Sequence, residues 1–145
     1  MKIFTIGFTK KTARKFFELL ENNGVECLVD IRLRPGGQLS GFAKKEDLKY
    51  FLKELIACDY RHIPELAPSD EILKTYRKNK SWSQYVVSFE NLMDQRRIPA
   101  TLDQELFKEN VCCLLCSEAT PEQCHRRLVA ERMAENWNEV EIIHL

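Results

Sequence analysis

Residues Val111–Arg127, VCCLLCSEATPEQCHRR, decide the fold that we predict for this chain. Their first six residues form an unbroken apolar run, which is typical of a strand buried on both faces of a parallel sheet. Thr120 is predicted to cap the helix that follows, because Pro121 suits the first helical position and Gln123 completes a capping box. In an open α/β sheet, ligands usually bind where the carboxyl end of a strand meets a helix N-terminus.

The rest of the chain alternates between strand and helix patterns. The other predicted strands are Lys2–Phe8, Val25–Arg32, Tyr60–Leu66 and Val140–Leu145. Helical patterns cover Lys10–Asn22 with Thr9 as the N-cap, Lys44–Cys58, most of Pro68–Asn110, and Pro121–Trp137. This alternation predicts a single three-layer α/β domain over residues 1–145, with a five-stranded, mainly parallel sheet, helices on both faces and a helical insertion between strands three and four. Because that insertion lets the chain cross to the other side of the first strand, we predict the strand order 3-2-1-4-5, with the topological switch between strands one and four.

Composition is that of a globular protein without a strong preference for charged partners. The chain has 145 residues, 44% of them hydrophobic, and its 22 basic side chains equal its 22 acidic ones. The net charge of the chain therefore does not attract nucleic acid or membranes, although a local basic patch is still compatible with this composition. No segment approaches the roughly 18 apolar residues of a membrane span, and the start of the chain lacks a signal-peptide pattern. We expect a cytoplasmic protein that does not associate with membranes.

The six cysteines are not arranged as a disulfide framework. Cys113 and Cys116 lie on the predicted strand, where three residues separate them by about 10 Å and point them to opposite faces. We therefore predict that no intramolecular disulfide forms. A zinc site from Cys116, Cys124 and His125 would need converging ligands, but neighbouring helical residues point about 100° apart and no fourth ligand is evident. We predict no metal site, and no cofactor is indicated because the nucleotide and hydrolase fingerprints are absent.

Charged and titratable residues meet at the predicted carboxyl rim of the sheet. Asp30 and Arg32 end the second strand, while Glu118 and Arg126 flank the turn after the fourth. The candidate catalytic residues are Cys124, His125, Glu118 and Asp30, with the carboxylates as acid/base groups. The candidate ligand-binding residues are Thr9, Arg32, Arg34 and Arg126, because guanidinium groups bind phosphate and carboxylate bidentately.

Each candidate also has a structural interpretation. Cys124 could be a small core residue, because free cysteines are usually buried. His125 could donate a hydrogen bond to a strand-end carbonyl and fix the loop against the helix. Arg32 and Arg126 could pair with Asp30 and Glu118 in an ion-pair network, and such a network could still hold an arginine ready for an anion.

Five motifs in order resemble one known family. They are Thr5–Thr9 (TIGFT), Asp30–Arg32 with Pro35, Tyr60 with His62–Leu66, Leu115–Glu118 with Cys124–Arg126 (CHR), and Val140 with Ile143–His144. In these motifs the chain resembles domain of unknown function family 488, a small bacterial and archaeal α/β family. The resemblance implies an α/β fold and brings no established reaction. Phe8 stands where family members commonly carry a histidine, so no proton transfer is assigned to that position.

These observations predict a small cytosolic α/β enzyme that acts on a phosphorylated or carboxylated small molecule, or on a nucleotide, at the carboxyl rim. The alternative is a non-catalytic module that binds nucleic acid or a protein partner through an arginine-rich face. That face would consist of Arg32, Arg34, Arg61, Arg126 and Arg127.

Overall fold

The computed structural model describes residues 1–145, apart from the side chains of residues 38 and 39. Within these residues, five parallel strands form one sheet. The strands are β1 (Lys2–Gly7), β2 (Cys27–Asp30), β3 (Asp59–His62), β4 (Cys112–Cys116) and β5 (Glu141–His144). Every residue of β4 is buried, as its apolar run predicts. The parallel sheet and the α/β class are therefore confirmed.

The strand order is β3-β2-β4-β1-β5, which corrects the predicted order 3-2-1-4-5. β4 pairs with β1 on one side, where Gly7 aligns with Cys116, and with β2 on the other, where Asp30 aligns with Leu115. The fully apolar strand takes the centre, and the partly exposed β3 and β5 form the edges. The chain leaves β2 towards β3 and leaves β4 towards β5, so the topological switch lies between β2 and β4 rather than between β1 and β4.

Helices cover both faces of the sheet. They are α1 (Ala13–Asn22), α2 (Lys45–Ile56), α3 (Asp70–Asn79), α4 (Trp82–Gln95), α5 (Gln104–Glu109) and α6 (His125–Asn136), with short 3₁₀ turns at Gln38–Ala43 and Pro64–Leu66. One core joins the sheet to α1 and α2 through residues such as Phe16 and Leu52. The other joins it to α4, α5 and α6 through Phe89, Phe107 and Val129. The helical insertion between the third and fourth strands is thus confirmed as α3 to α5.

Two helices begin later than predicted. α1 is capped by Thr12, whose hydroxyl accepts a hydrogen bond from the backbone of Lys15, and not by Thr9. α6 begins at His125, with Cys124 in the N-cap position, so the predicted capping box at Thr120 does not form a helix start.

The turn between β4 and α6 has other partners, which explains the shift. The Thr9 amide donates to the Ser117 carbonyl at 3.1 Å. The Gln123 side chain accepts a hydrogen bond from the Tyr76 hydroxyl at 3.4 Å, rather than reaching back to the N-cap of a helix. These tertiary contacts replace the local capping pattern.

None of the described helices is long and apolar enough to cross a lipid bilayer.

Candidate functional site

A cleft of about 500 Å³ opens at the carboxyl ends of β2 and β4, at the topological switch. Four parts of the chain line it: the loop after β2, the junction of α3 and α4, the turn after β4, and the start of α6. The side chains that matter for its chemistry are Arg32, Arg34, Tyr76, Arg77, Lys80, Trp82, Cys116, Glu118, Cys124 and His125. The fold thus joins distant segments at the rim that the sequence indicates.

Asp30 and Arg32 form a buried bidentate ion pair at the end of β2. Asp30 Oδ1 accepts from Arg32 Nε at 2.9 Å, and Oδ2 accepts from Arg32 Nη2 at 2.7 Å. The Tyr60 hydroxyl also donates to Oδ2, at 2.5 Å, and burial together with this carboxylate raises the pKa of Tyr60. Asp30 does not line the cleft, and it lies behind Arg32, with its oxygens engaged by donors.

Arg32 is held rigidly where it borders the cleft. Its Nη2 also donates to the Ala43 carbonyl at 2.7 Å, and its guanidinium lies 5.3 Å from the centre of the Phe8 ring. A cation over an aromatic face is attracted by the ring quadrupole. Phe8 therefore supplies a packing surface for Arg32.

Arg126 is fully buried beside the cleft and has no carboxylate partner among the described side chains. Its Nε donates to the Thr5 hydroxyl at 3.2 Å, and its Nη1 donates to the Glu118 backbone carbonyl at 2.5 Å. Nη1 also lies 3.0 Å from Cys116 Sγ, while Nη2 has no hydrogen-bond partner in the described structure. Burial lowers the pKa of Arg126.

The expected ion pair between the side chains of Arg126 and Glu118 is therefore wrong. Glu118 offers its backbone carbonyl, and its side chain is exposed at the mouth of the cleft. The turn after β4 brings that carbonyl so close to Gly7 that any side chain at position 7 would clash with it.

Cys116 and Cys124 are paired as a disulfide, with their Cα atoms 7.6 Å apart. This corrects the prediction that no intramolecular disulfide forms. That prediction considered Cys113 and Cys116, which do not pair, but the turn after β4 folds back and places Cys124, the N-cap residue of α6, over the end of the strand. The other four cysteines, all among the described side chains, are free and buried: Cys27, Cys58, Cys112 and Cys113.

His125 joins the two loops that form the cleft. Its Nε2 donates to the Ile31 carbonyl at 2.8 Å, and its ring packs edge-on against Phe89 at 5.8 Å. Burial lowers the pKa of His125 to about 4, so the ring is neutral near pH 7. With the proton on Nε2, Nδ1 is an acceptor.

The remaining candidates lie at or outside the mouth. Arg34 lines the cleft and pairs with Asp70 at 2.6 Å in an exposed ion pair. Thr9 is exposed and does not line the cleft. The structure thus brings together Arg32, Arg34, Glu118, Cys124 and His125, places Asp30 and Arg126 directly behind them, and leaves Thr9 outside.

Sequence reasoning missed the wall that the insertion contributes. Trp82 stacks on Tyr85 with ring centres 4.8 Å apart, and Tyr76 packs edge-on against both rings. Arg77 and Lys80 add two cations beside them. The available signal was the concentration of aromatic and basic residues at the break between two helices, in a segment that we interpreted only as a crossover. Cys116 was also missed as a reactive candidate.

No group of three or more His, Cys, Asp or Glu side chains in the described part of the chain is arranged to hold a metal ion.

Comparison with family models matches residues 12–133 to a family described as "Domain of unknown function DUF488". No curated protein and no solved structure matches the chain. The matched range contains β2, β4 and the start of α6, and hence most of the residues that form the cleft. Because the match covers well over half of the sequence, the protein belongs to the DUF488 family.

Proposed function

We propose that the protein is an enzyme that acts on a nucleotide, or on another small phosphorylated or carboxylated compound, bound in the cleft between β2 and β4. The observation that carries this proposal is the composition of the cleft wall: four cationic side chains beside an aromatic stack. Glu118 is the one carboxylate among the described lining residues. Even with this one negative charge, the cleft lining carries a net positive charge, which favours an anion.

The cations occupy two sides of the cleft. Arg32 and Arg34 come from the loop after β2. Arg77 lies in the last turn of α3, and Lys80 is the C-cap residue that follows this helix. Arg32 is fixed by Asp30 and by the Ala43 carbonyl, so little side-chain entropy is lost when it binds a ligand. An anionic group between these two sides would contact both.

Trp82 provides a ring surface next to the cations. It is partly exposed, and its stacking on Tyr85 holds the indole in place. A nucleobase would stack on such a surface with a gain of roughly 1–3 kcal/mol per base. This combination of cations and a fixed indole is the reason to prefer a nucleotide over a simple anion.

The polar groups for acid/base work are His125 and Glu118. His125 is neutral and presents an acceptor nitrogen, and Glu118 is a carboxylate at the mouth. Cys124 lines the same cleft. Asp30 and Arg126 serve as positioning residues, and Thr9 takes no part in the site.

The alternative, an arginine-rich face for nucleic acid or protein, loses support from burial. Of its five arginines, Arg32 and Arg126 are buried, and Arg127 is partly buried beside Glu131. A phosphate-tracking surface needs exposed cations along one face. These five residues do not form one.

The test is ligand-induced thermal stabilisation with nucleotides, inorganic phosphate and small carboxylates as probes. We expect at least one nucleotide to raise the melting temperature of the wild-type protein. The double variant Arg77→Gln/Lys80→Gln should weaken that binding at least tenfold, because it removes one cationic side. Lys74→Gln/Lys78→Gln is the matched control, since it removes the same charge from exposed positions of α3 outside the cleft.

Failure of all probes to stabilise the wild-type protein would contradict the proposal. So would equal loss of binding in both double variants, because a general charge effect would then replace a site. For a stabilising nucleotide, turnover followed by chromatography of the ligand tests the catalytic half of the proposal.

A further inference from the structure

We propose that Cys116 and Cys124 are a redox-active pair in which Cys116 is the attacking thiolate, with acidic low-molecular-weight disulfides as substrates. Both sulfur atoms lie at the floor of the cleft, where they are paired with each other. The reactivity of the pair stands on its own geometry. Only the preference for an acidic substrate rests on the anion-binding cleft proposed above.

The charge around Arg126 indicates what Cys116 does when the pair is reduced. An unpaired buried cation is costly, and Arg126 is fully buried without a carboxylate partner among the described side chains. Cys116 Sγ lies 3.0 Å from Arg126 Nη1, and Nη2 is left without a partner in the described structure. A thiolate at Cys116 supplies the missing negative charge, so Arg126 favours that form.

Cys124 is placed to resolve the mixed disulfide. It occupies the N-cap position of α6, and its sulfur contacts that of Cys116. The positive end of the helix dipole favours a thiolate there as well, although less than a guanidinium in direct contact. Cys116 therefore attacks first, and Cys124 attacks second.

The reaction balances as a thiol–disulfide exchange. The Cys116 thiolate attacks one sulfur of RS–SR, the substrate S–S bond breaks, and a mixed disulfide forms while RS⁻ leaves and takes up a proton. Cys124 loses its proton to water and attacks the Cys116 sulfur, which releases the second RS⁻ to be protonated. One substrate disulfide becomes two thiols, and the two electrons come from the cysteine pair. Two molecules of a small thiol reverse the reaction.

The cleft selects the charge of the substrate. Arg34, Arg77 and Lys80 line the same cleft as the paired sulfurs. Carboxylates on the substrate would be attracted by these groups, and amines would be repelled. An acidic disulfide is therefore the expected substrate class.

The experiment mixes the fully reduced protein with three probes that differ in charge: glutathione disulfide (acidic), bis(2-hydroxyethyl) disulfide (neutral) and cystamine (cationic). Free thiols are then alkylated and mapped by mass spectrometry. We expect the protein to lose two thiols, located at Cys116 and Cys124, and to react at least tenfold faster with glutathione disulfide than with cystamine. Cys58→Ser is the control, because Cys58 is buried outside the cleft.

Single-cysteine variants assign the order of attack. Cys124→Ser should accumulate a mixed disulfide with glutathione at Cys116, whereas Cys116→Ser should form one at Cys124 at least tenfold more slowly. Arg126→Met should slow the first step and raise the pH at which Cys116 is alkylated, and Arg126→Lys should restore part of the rate. Circular dichroism verifies folding, and the two cysteine variants decide the question even when the arginine variants do not fold.

Three results would overturn the proposal. In the first, the reduced protein retains all six thiols in glutathione disulfide. In the second, Cys116→Ser reacts as fast as Cys124→Ser. In the third, cystamine reacts as fast as glutathione disulfide, which removes the substrate class. A nucleotide that binds without any thiol reactivity would leave the proposed function standing and refute this inference alone.

Discussion

The backbone carbonyl of Glu118 lies where a side chain at Gly7 would begin. A Cβ at position 7 would overlap that oxygen, which is also the acceptor for Arg126 Nη1. The absence of a side chain on β1 thus allows the turn after β4 to close over the sheet. The group that approaches Gly7 this closely is therefore a backbone carbonyl of the same chain.

Gly7→Ala should therefore destabilise the fold strongly. The turn after β4 would have to move away, and the hydrogen bond from Arg126 would be lost, at a cost of about 3 kcal/mol or more. Urea denaturation measures this free energy of unfolding. Gly36→Ala is the matched control, because a Cβ there meets nothing within 4 Å, and its stability should change by less than about 0.5 kcal/mol. Equal stability of the two variants would contradict the role given to Gly7.

Asp30→Asn should cost more than any exposed substitution near the cleft. It leaves the buried Arg32 guanidinium uncompensated, which typically costs about 3–5 kcal/mol. Tyr60→Phe removes one hydrogen bond to the same carboxylate and should cost about 1–3 kcal/mol. Asp70→Asn, which breaks only the exposed pair with Arg34, should leave the urea midpoint unchanged. A small effect of Asp30→Asn would mean that Arg32 is solvated rather than paired.

His125 should make stability depend on pH in a defined window. Burial lowers its pKa from 6.5 in the unfolded chain to about 4 in the folded protein, so between these values the unfolded state binds more protons. The contribution is fully present above about pH 6.5 and is lost as the pH falls to about 4, with an upper limit on the order of 3 kcal/mol.

His125→Gln should flatten the dependence of the unfolding free energy on pH between 4 and 6.5. Glutamine retains a donor for the Ile31 carbonyl but has no titrating group. His62→Gln, which alters a histidine bonded to the Arg32 carbonyl, leaves His125 in place and should keep its contribution. Denaturation series across this range compare the three proteins, and an unchanged slope in His125→Gln would refute the assignment.

The fold class was predictable because hydrophobic periodicity is a local property. The apolar run of β4 identified a strand buried on both faces, and the alternation of elements required parallel neighbours. That pattern did not determine the strand order, because β4 can lie beside β1 either on the side of β2 or on the side of β5. Only the contrast between a fully buried β4 and a partly exposed β5 distinguishes the two arrangements.

For the site, the sequence predicted only which chain segments end at the carboxyl rim of the sheet. Arg32 and His125 could be placed there because strand ends and helix starts in a parallel sheet share one side. The pairing of Cys116 with Cys124 could not be predicted, because it depends on a turn fixed by Thr9, Gly7 and Arg126 rather than on spacing. The aromatic wall was missed for the same reason: the tertiary position of an insertion is not encoded in its own periodicity.

The central position of β4 also determines when the sheet can assemble during synthesis. β1 pairs with β4 and β5, and both follow residue 111. A nascent chain that ends at residue 110 holds the β2–β3 pairing alone, with β1 translated first and still without a partner. β4 can therefore enter between β1 and β2 only after residues up to 116 have been synthesised, so the centre of the sheet forms late and through contacts of high sequence separation.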